Sequence, residues 1–265
     1  MAQDRLTLPE AGSVLGIDVG WSLKAASSGI CRLDWDSGTI SWTVRHFTGD
    51  PAARQSAVEA VAGDRTLLAV GLDGPLRGDL AVIDRYRQAE RLLTQKPIAS
   101  RVSQPGSSRS PVGRLLNHHT NEFARLLIAR GQLAAAQHNH AVHELALFEA
   151  FPTSFLGLML EGAEKGPRQQ RSDRYYTALV ANGTLERLLG HHLPGRRLAG
   201  DLAAVRNHDE RAALVCAITA LGVARHDYTC VGDADGWIIL PPRAFLADWA
   251  QPLAAGWNHG AAPGF

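Results

Sequence analysis

The sequence predicts an α/β fold: a mixed five-stranded sheet flanked by helices, with a large helical insertion. Three observations predict it. Residues 13–19 form a continuous apolar run that stops at Asp18-Val19-Gly20, the pattern of a buried strand ending at a functional edge. Strand-like and helix-like segments follow one another over most of the chain. Residues 209–225, after Asp209, Glu210 and Arg211, are apolar on every side and rich in small residues such as Ala213, Cys216 and Ala217. That composition fits a buried helix pressed close to a sheet.

Two strand-like runs, 29–35 and 39–47, flank Asp36-Ser37-Gly38, whose turn residues predict a hairpin. With the first run they make an antiparallel meander. Residues 51–62 read as a helix, with Asp50 as N-cap and Pro51 at the first helical position. Residues 66–72 form a second buried strand that also ends in an acid, Asp73. The stretch 80–143 is mainly helical, interrupted by Pro97 and by a Ser/Pro/Gly-rich loop at 102–113, and reads as an insertion able to cover a site. A third apolar strand at 145–151 carries Glu149, residues 171–189 predict further helix, and 236–240 adds an edge strand. The predicted organisation is an N-terminal tail (1–12), one domain (13–242) and a C-terminal extension (243–265).

Composition narrows the function class. The N-terminal residues are polar and carry Asp4 and Glu10, unlike a secretory signal, and no segment reaches the roughly 18 apolar residues that cross a bilayer. The expected location is the cytoplasm, with no membrane partner. Cys31, Cys216 and Cys230 are odd in number, lack CxxC spacing and fit reduced, buried thiols. The net charge of +1 argues against a surface built throughout to neutralise phosphates. Residues 77–130 nevertheless hold nine Arg and Lys96 against four acids, an excess of six positive charges. If they share a face they make a restricted anion-binding surface; exposed, solvated helix faces account for them equally well.

Asp18, Asp73 and Glu149 are associated with strands, and Asp209 stands at a helix start. Neighbouring strand ends lie about 5 Å apart, so carboxylates delivered there can converge. Two carboxylates about 4 Å apart repel by roughly 4 kcal/mol at an effective dielectric near 20, so such a cluster takes up protons or recruits cations. Hard oxygen donors favour Mg²⁺ or Mn²⁺, which can activate water for in-line displacement at phosphorus. Each acid alone also fits a cap, a turn or a solvated strand end, and only their joint placement points to a site.

Five motifs carry a resemblance: GIDVG (16–20), GLDGPL (71–76), FEAFPTSF (148–155), HDERAALVCAITA (208–220) and DGWIILP (235–241). In this order and spacing they resemble domain-of-unknown-function family 429, a family of predicted ribonuclease H-like nucleases. The resemblance implies a ribonuclease H-like sheet in which Asp18 is the first strand's acid, Asp73 the fourth strand's and Asp209 the late helix's. It implies that these three hold the metal and that Glu149 joins them in catalysis. Relatives often carry a second acid on the helix where this chain has Ala212. Either Asp209 serves alone, Glu210 substitutes for the second acid, or metal binding is weakened.

Other residues offer weaker chemistry. Arg85, Arg87 and Arg91 on one predicted helix, and Arg109 in the 102–113 loop, are candidate phosphate ligands through forked hydrogen bonds, with ordinary surface charge as the alternative. His138, His140, His143 and Glu144 form a possible metal cluster, although a polar connection explains them more simply. The pairs His118-His119 and His191-His192 read as exposed, and Asp233 and Asp235 as turn acids. Trp21 either stacks on a base or packs.

The expected activity is metal-dependent hydrolysis of nucleic acid or nucleotide. The alternatives are a ribonuclease H-like binding or scaffold protein that has lost the chemistry, and a sugar-kinase-like ATPase prompted by GIDVG. No duplicate of that motif exists in the chain. Composition leaves the oligomeric state open, a homodimer included.

Overall fold

This computed structural model describes residues 6–102, 106–136, 144–162, 171–254 and 256–259. An antiparallel meander of β1 (Gly12–Asp18), β2 (Ala26–Trp35) and β3 (Thr39–Thr48) opens the chain, and α1 (Pro51–Ala62) follows it. As its sequence predicts, α1 starts on Asp50, whose side chain accepts from the Ala53 amide, with Pro51 in the first turn. Next come β4 (Val70–Asp73), α2 (Gln88–Leu93), α3 (Ile98–Arg101), α4 (Pro111–Ala129) and β5 (Leu147–Ala150). The chain continues through α5 (Pro152–Leu158), α6 (Arg171–Ala181), α7 (Thr184–His192), β6 (Arg197–Leu198) and α8 (His208–Ala224). It ends with the hairpin β7 (Thr229–Asp233) and β8 (Gly236–Leu240), then α9 (Gln251–Ala254) and β9 (Asn258–His259).

The architecture is α/β with a mixed sheet flanked by helices, but the sheet has nine strands rather than five, in the order β6-β3-β2-β1-β4-β5-β8-β7-β9. Six of the nine correspond to the strand-like runs of the sequence; the others are β7, which pairs with the anticipated 236–240 segment, and the two-residue β6 and β9. Two residues carry no period for a sequence pattern to detect. The segment 171–189 is two helices, because Gly183 adopts φ +73° between them, a conformation other residues resist. No described helix is long and apolar enough to cross a membrane.

Side-chain alternation divides the core. Leu15, Ile17, Val70, Leu72 and Leu147 pack under α1 and α4, while Val14, Cys31, Leu33, Phe148 and Ala150 pack under α8 and its neighbours. Helix α4, from the 80–143 stretch, thus lies in the layer covering the sheet, through Phe123, Ala124 and Leu127. Residues beyond 242 also pack on the fold: Leu246, Ala250 and Ala254 join β7 and β8 in a third cluster. The three cysteines are free and buried.

Helix α8 comes unusually close to the sheet. A Cβ added at Gly16 would stand 2.2 Å from the Ala213 carbonyl oxygen and the Ala217 nitrogen, and one at Gly29 would stand 2.1 Å from the Asp209 carbonyl oxygen. Those contacts are backbone and cannot swing aside. The small residues of α8 and these two glycines are therefore one packing solution. Gly16→Val is expected to cost about 3 kcal/mol or more, the upper range for overpacking. Thermal unfolding should then fall by about 6 °C or more, and a melting curve matching the wild type would refute the close seating.

Candidate functional site

Strands β1 and β4 are parallel neighbours, and their terminal acids, Asp18 and Asp73, are register partners. Their Cα atoms are thus about 4.8 Å apart and their side chains leave the same face of the sheet. That face is α8's, because Val14 and Gly16 precede Asp18 on it at alternate positions. The antiparallel partner of Asp18 is Gly29, the residue on which the first turn of α8 rests. This turn is capped by Asn207, whose Oδ1 accepts from the Asp209 and Glu210 amides at 2.9 and 3.1 Å. Asp209 consequently overhangs Asp18, close enough for its charge to act on the strand's acid. All three acids are half-buried rather than sealed in the core.

Their protonation follows from this crowding. Asp18 is raised well above the usual carboxylate range by burial first, then by Asp73 and Asp209. Asp73 is pushed up to about 7 by burial and by Glu149. Burial also raises Asp209, against the opposing pull of His208 and His46. The metal-free cluster is therefore partly protonated near neutrality and gains from a cation that replaces the proton.

Glu149 does not belong to this face. Its register partner on β4 is Leu72, not Asp73, so the period of two sends its side chain to the opposite side. There both its oxygens are taken. Arg87 donates to Oε2 from Nη1 at 2.7 Å and to Oε1 from Nη2 at 2.9 Å, and the Leu76 amide donates to Oε2 at 2.8 Å. The expectation that Glu149 joins the catalytic acids is corrected on that ground. The same contacts correct the assignment of Arg87 as a phosphate ligand. Arg87 is 2% exposed and also bonds Glu90, whose Oε1 accepts from buried Ser108. Burial lowers the Arg87 pKa, but the two glutamates outweigh it and hold the guanidinium charged.

Residues 85, 87 and 91 do not share a helix, since α2 begins after Arg87. Arg85 is exposed and pairs with Asp235, while Arg91 and Arg109 are exposed. Ala212 is buried on α8, and Glu210 does not replace the missing acid: its carboxylate bonds His46 on β3 at 3.2 Å. Trp21, 39% exposed, follows β1 in the loop beside Asp18. His138, His140 and His143 lie outside the described residues.

One group was not anticipated. Among the described residues, only His191, His192 and Asp227 bring three ligand atoms within 4.8 Å of one another, and the trio of Asp18, Asp73 and Asp209 does not close to that distance. Nor are the two histidine pairs simply exposed: His192 is 1% exposed, and the His119 side chain is 14% exposed between Arg54 and Glu122. Adjacent histidines mark a polar helix end in sequence, and nothing in that pattern reveals which of them turns inward.

Comparison of the chain with protein families, curated proteins and solved structures returns no match.

Two outcomes follow from the geometry. The folded Asp73 holds its proton up to about pH 7, against roughly 3.9 for an unfolded aspartate. The folded state therefore binds more protons in that window, so this stabilising contribution is complete below about pH 4 and is lost as pH rises through 7. In chelator at pH 8, Asp73→Asn should be more stable than wild type by about 1–2 kcal/mol, a discounted figure because the group is only half-buried. At pH 4 the difference should vanish, and pH-independent melting differences would contradict the crowded-carboxylate picture. Separately, Arg87→Met should cost about 3–5 kcal/mol by stranding two buried glutamates, whereas Arg109→Ala should stay within about 0.5 kcal/mol. Equal effects in urea unfolding would show that Arg87 is not the buried partner described.

Proposed function

We propose that this chain is a divalent-metal-dependent phosphodiesterase of the ribonuclease H-like kind, acting on nucleic acid or nucleotide. The observation that supports the reading most is the meeting of Asp18, Asp73 and Asp209 on one face. They come from the first strand, the fourth strand and the late helix, the three elements to which the motif resemblance to domain-of-unknown-function family 429 assigns its metal-binding acids.

The donor set fits Mg²⁺ or Mn²⁺: all oxygen, half-buried and raised in pKa chiefly by burial, with neighbouring carboxylates adding to it at Asp18 and Asp73. Asp18, Asp73 and Asp209 would hold the ion, which when bound supplies water activation and neutralises charge developing at phosphorus. The chain's own part is to surrender the protons that burial holds on these acids and to keep three carboxylates on rigid supports. Exposed Arg85, Arg91 and Arg109 supply positive charge for phosphates, and Trp21 offers an exposed ring to a base. With Glu149 and Glu210 committed elsewhere and Ala212 at the second helix position, three acids remain, enough for one ion rather than two, and their side chains would have to draw together around it.

A second reading, a ribonuclease H-like binding protein without chemistry, is favoured by one observation: both Glu149 oxygens are already satisfied by Arg87 and Leu76. Purified protein incubated with labelled single-stranded, duplex, hybrid and junction substrates in Mn²⁺ decides between them. Under the proposal the wild type cleaves at least one substrate, and Asp18→Asn reduces cleavage to background while unfolding no earlier than wild type. Undiminished cleavage by Asp18→Asn would remove the assignment. Absence of both cleavage and Mn²⁺ binding in the wild type would leave the binding-protein reading.

A further inference from the structure

We propose that His191, His192 and Asp227 form a second metal site, suited to zinc-class ions rather than to the hard cations that fit the aspartates. The two histidines are the last residues of α7, and Asp227 lies in the turn between α8 and β7. Backbone contacts hold both supports in place. The Asp227 amide donates to the Gly222 carbonyl at 2.9 Å, and the Arg225 guanidinium donates to the His192 carbonyl at 2.7 Å. His191 Nε2 stands 2.7 Å from Asp227 Oδ2, and one ligand atom from each of the three residues falls within 4.8 Å of the other two. The Phe245 ring meets His191 edge-on at 5.0 Å, and the absence of a side chain at Gly222 leaves space beside His192 Nε2.

Two imidazoles and one carboxylate are a borderline donor set, the kind zinc takes at about 2.0–2.2 Å. Ligands on a tetrahedral ion of that size are about 3.3 Å apart, so shifts on the order of 1 Å would close the site around it. The carbonyl end of α7 adds a favourable field for a cation. The Arg225 guanidinium opposes it, and the Asp227 carboxylate offsets that charge locally. An ion pair alone accounts for His191 with Asp227. It does not account for a second imidazole brought to the same carboxylate from the buried layer.

Three protein ligands leave the fourth tetrahedral position to water or to an external ligand. The bound ion would tie the end of α7 to the turn after α8. It would do so far from the aspartates, because the 17 residues of α8 separate the two places by about 25 Å at 1.5 Å per residue. The proposal is thus independent of the nuclease reading.

Chelator-treated full-length protein titrated calorimetrically with Zn²⁺ alone, and spectroscopically with Co²⁺, tests it. The expected result is about one Zn²⁺ per chain, bound unchanged by Asp18→Asn and Asp73→Asn, and weakened about tenfold or more by His191→Gln and by Asp227→Asn. The visible absorption of tetrahedral Co²⁺ should appear with wild type and disappear with the latter two variants. His191→Gln keeps a hydrogen-bond donor toward Asp227, so it preserves the mechanical tie while removing a ligand. Should both variants fail to fold in chelator, Zn²⁺ binding by Asp18→Asn in excess Mg²⁺, with the Co²⁺ spectrum of bound imidazole, decides alone. No Zn²⁺ binding by wild type, binding undiminished in folded His191→Gln and Asp227→Asn, or binding abolished by Asp18→Asn would overturn the site.

Discussion

The seating of α8 on the sheet is the constraint from which the rest of the structure follows. Gly16 and Gly29 remove the side chains that would hold a helix at ordinary distance, and Ala213 and Ala217 present the matching flat surface. The helix therefore approaches until backbone meets backbone. Its capped first turn comes to rest beside the end of β1, and an aspartate at the second helical position overhangs the strand's own aspartate. Side chains at those two glycines would push the first turn of α8 outward and carry Asp209 away from Asp18. The burial that raises the three acids is thus maintained by apolar packing along the whole of α8.

The parity of the strands is the second constraint. Asp18 and Asp73 share a face because their strands are parallel and in register; Glu149, one residue out of step, is turned to the other. A buried carboxylate there requires a compensating cation. Arg87 supplies it, and with Glu90 and Ser108 it ties the loop before α4 to the end of the sheet. The same end of the molecule therefore holds a half-buried group of acids on one face and a satisfied ionic network on the other. Only the first has free capacity for a ligand.

Much of this was legible in the residues. The meander, α1 with its Asp50 cap, the acid-ending strands and the buried α8 all carry strong local signals: continuous apolar runs, turn residues, small side chains on every helical side. Asp18, Asp73 and Asp209 could be selected because each interrupts such a signal. Glu149 gave the same local signal and was misassigned, since a four-residue strand does not announce which way it is paired. Arg87 looked like its exposed neighbours Arg85 and Arg91, because composition cannot distinguish a guanidinium facing water from one facing two glutamates. His192 was hidden in the same way.

The sequence by itself determined most strands and helices of the buried core, β7 excepted, and which acids stand at their ends, because local periodicity and end signals are properties of a few consecutive residues. Tertiary structure alone decided the number and order of strands, the face each acid occupies and the partner each buried charge finds. Those depend on register and on the distance between elements far apart in the chain. A register shift of one residue moves a carboxylate across the sheet without changing any short stretch of sequence.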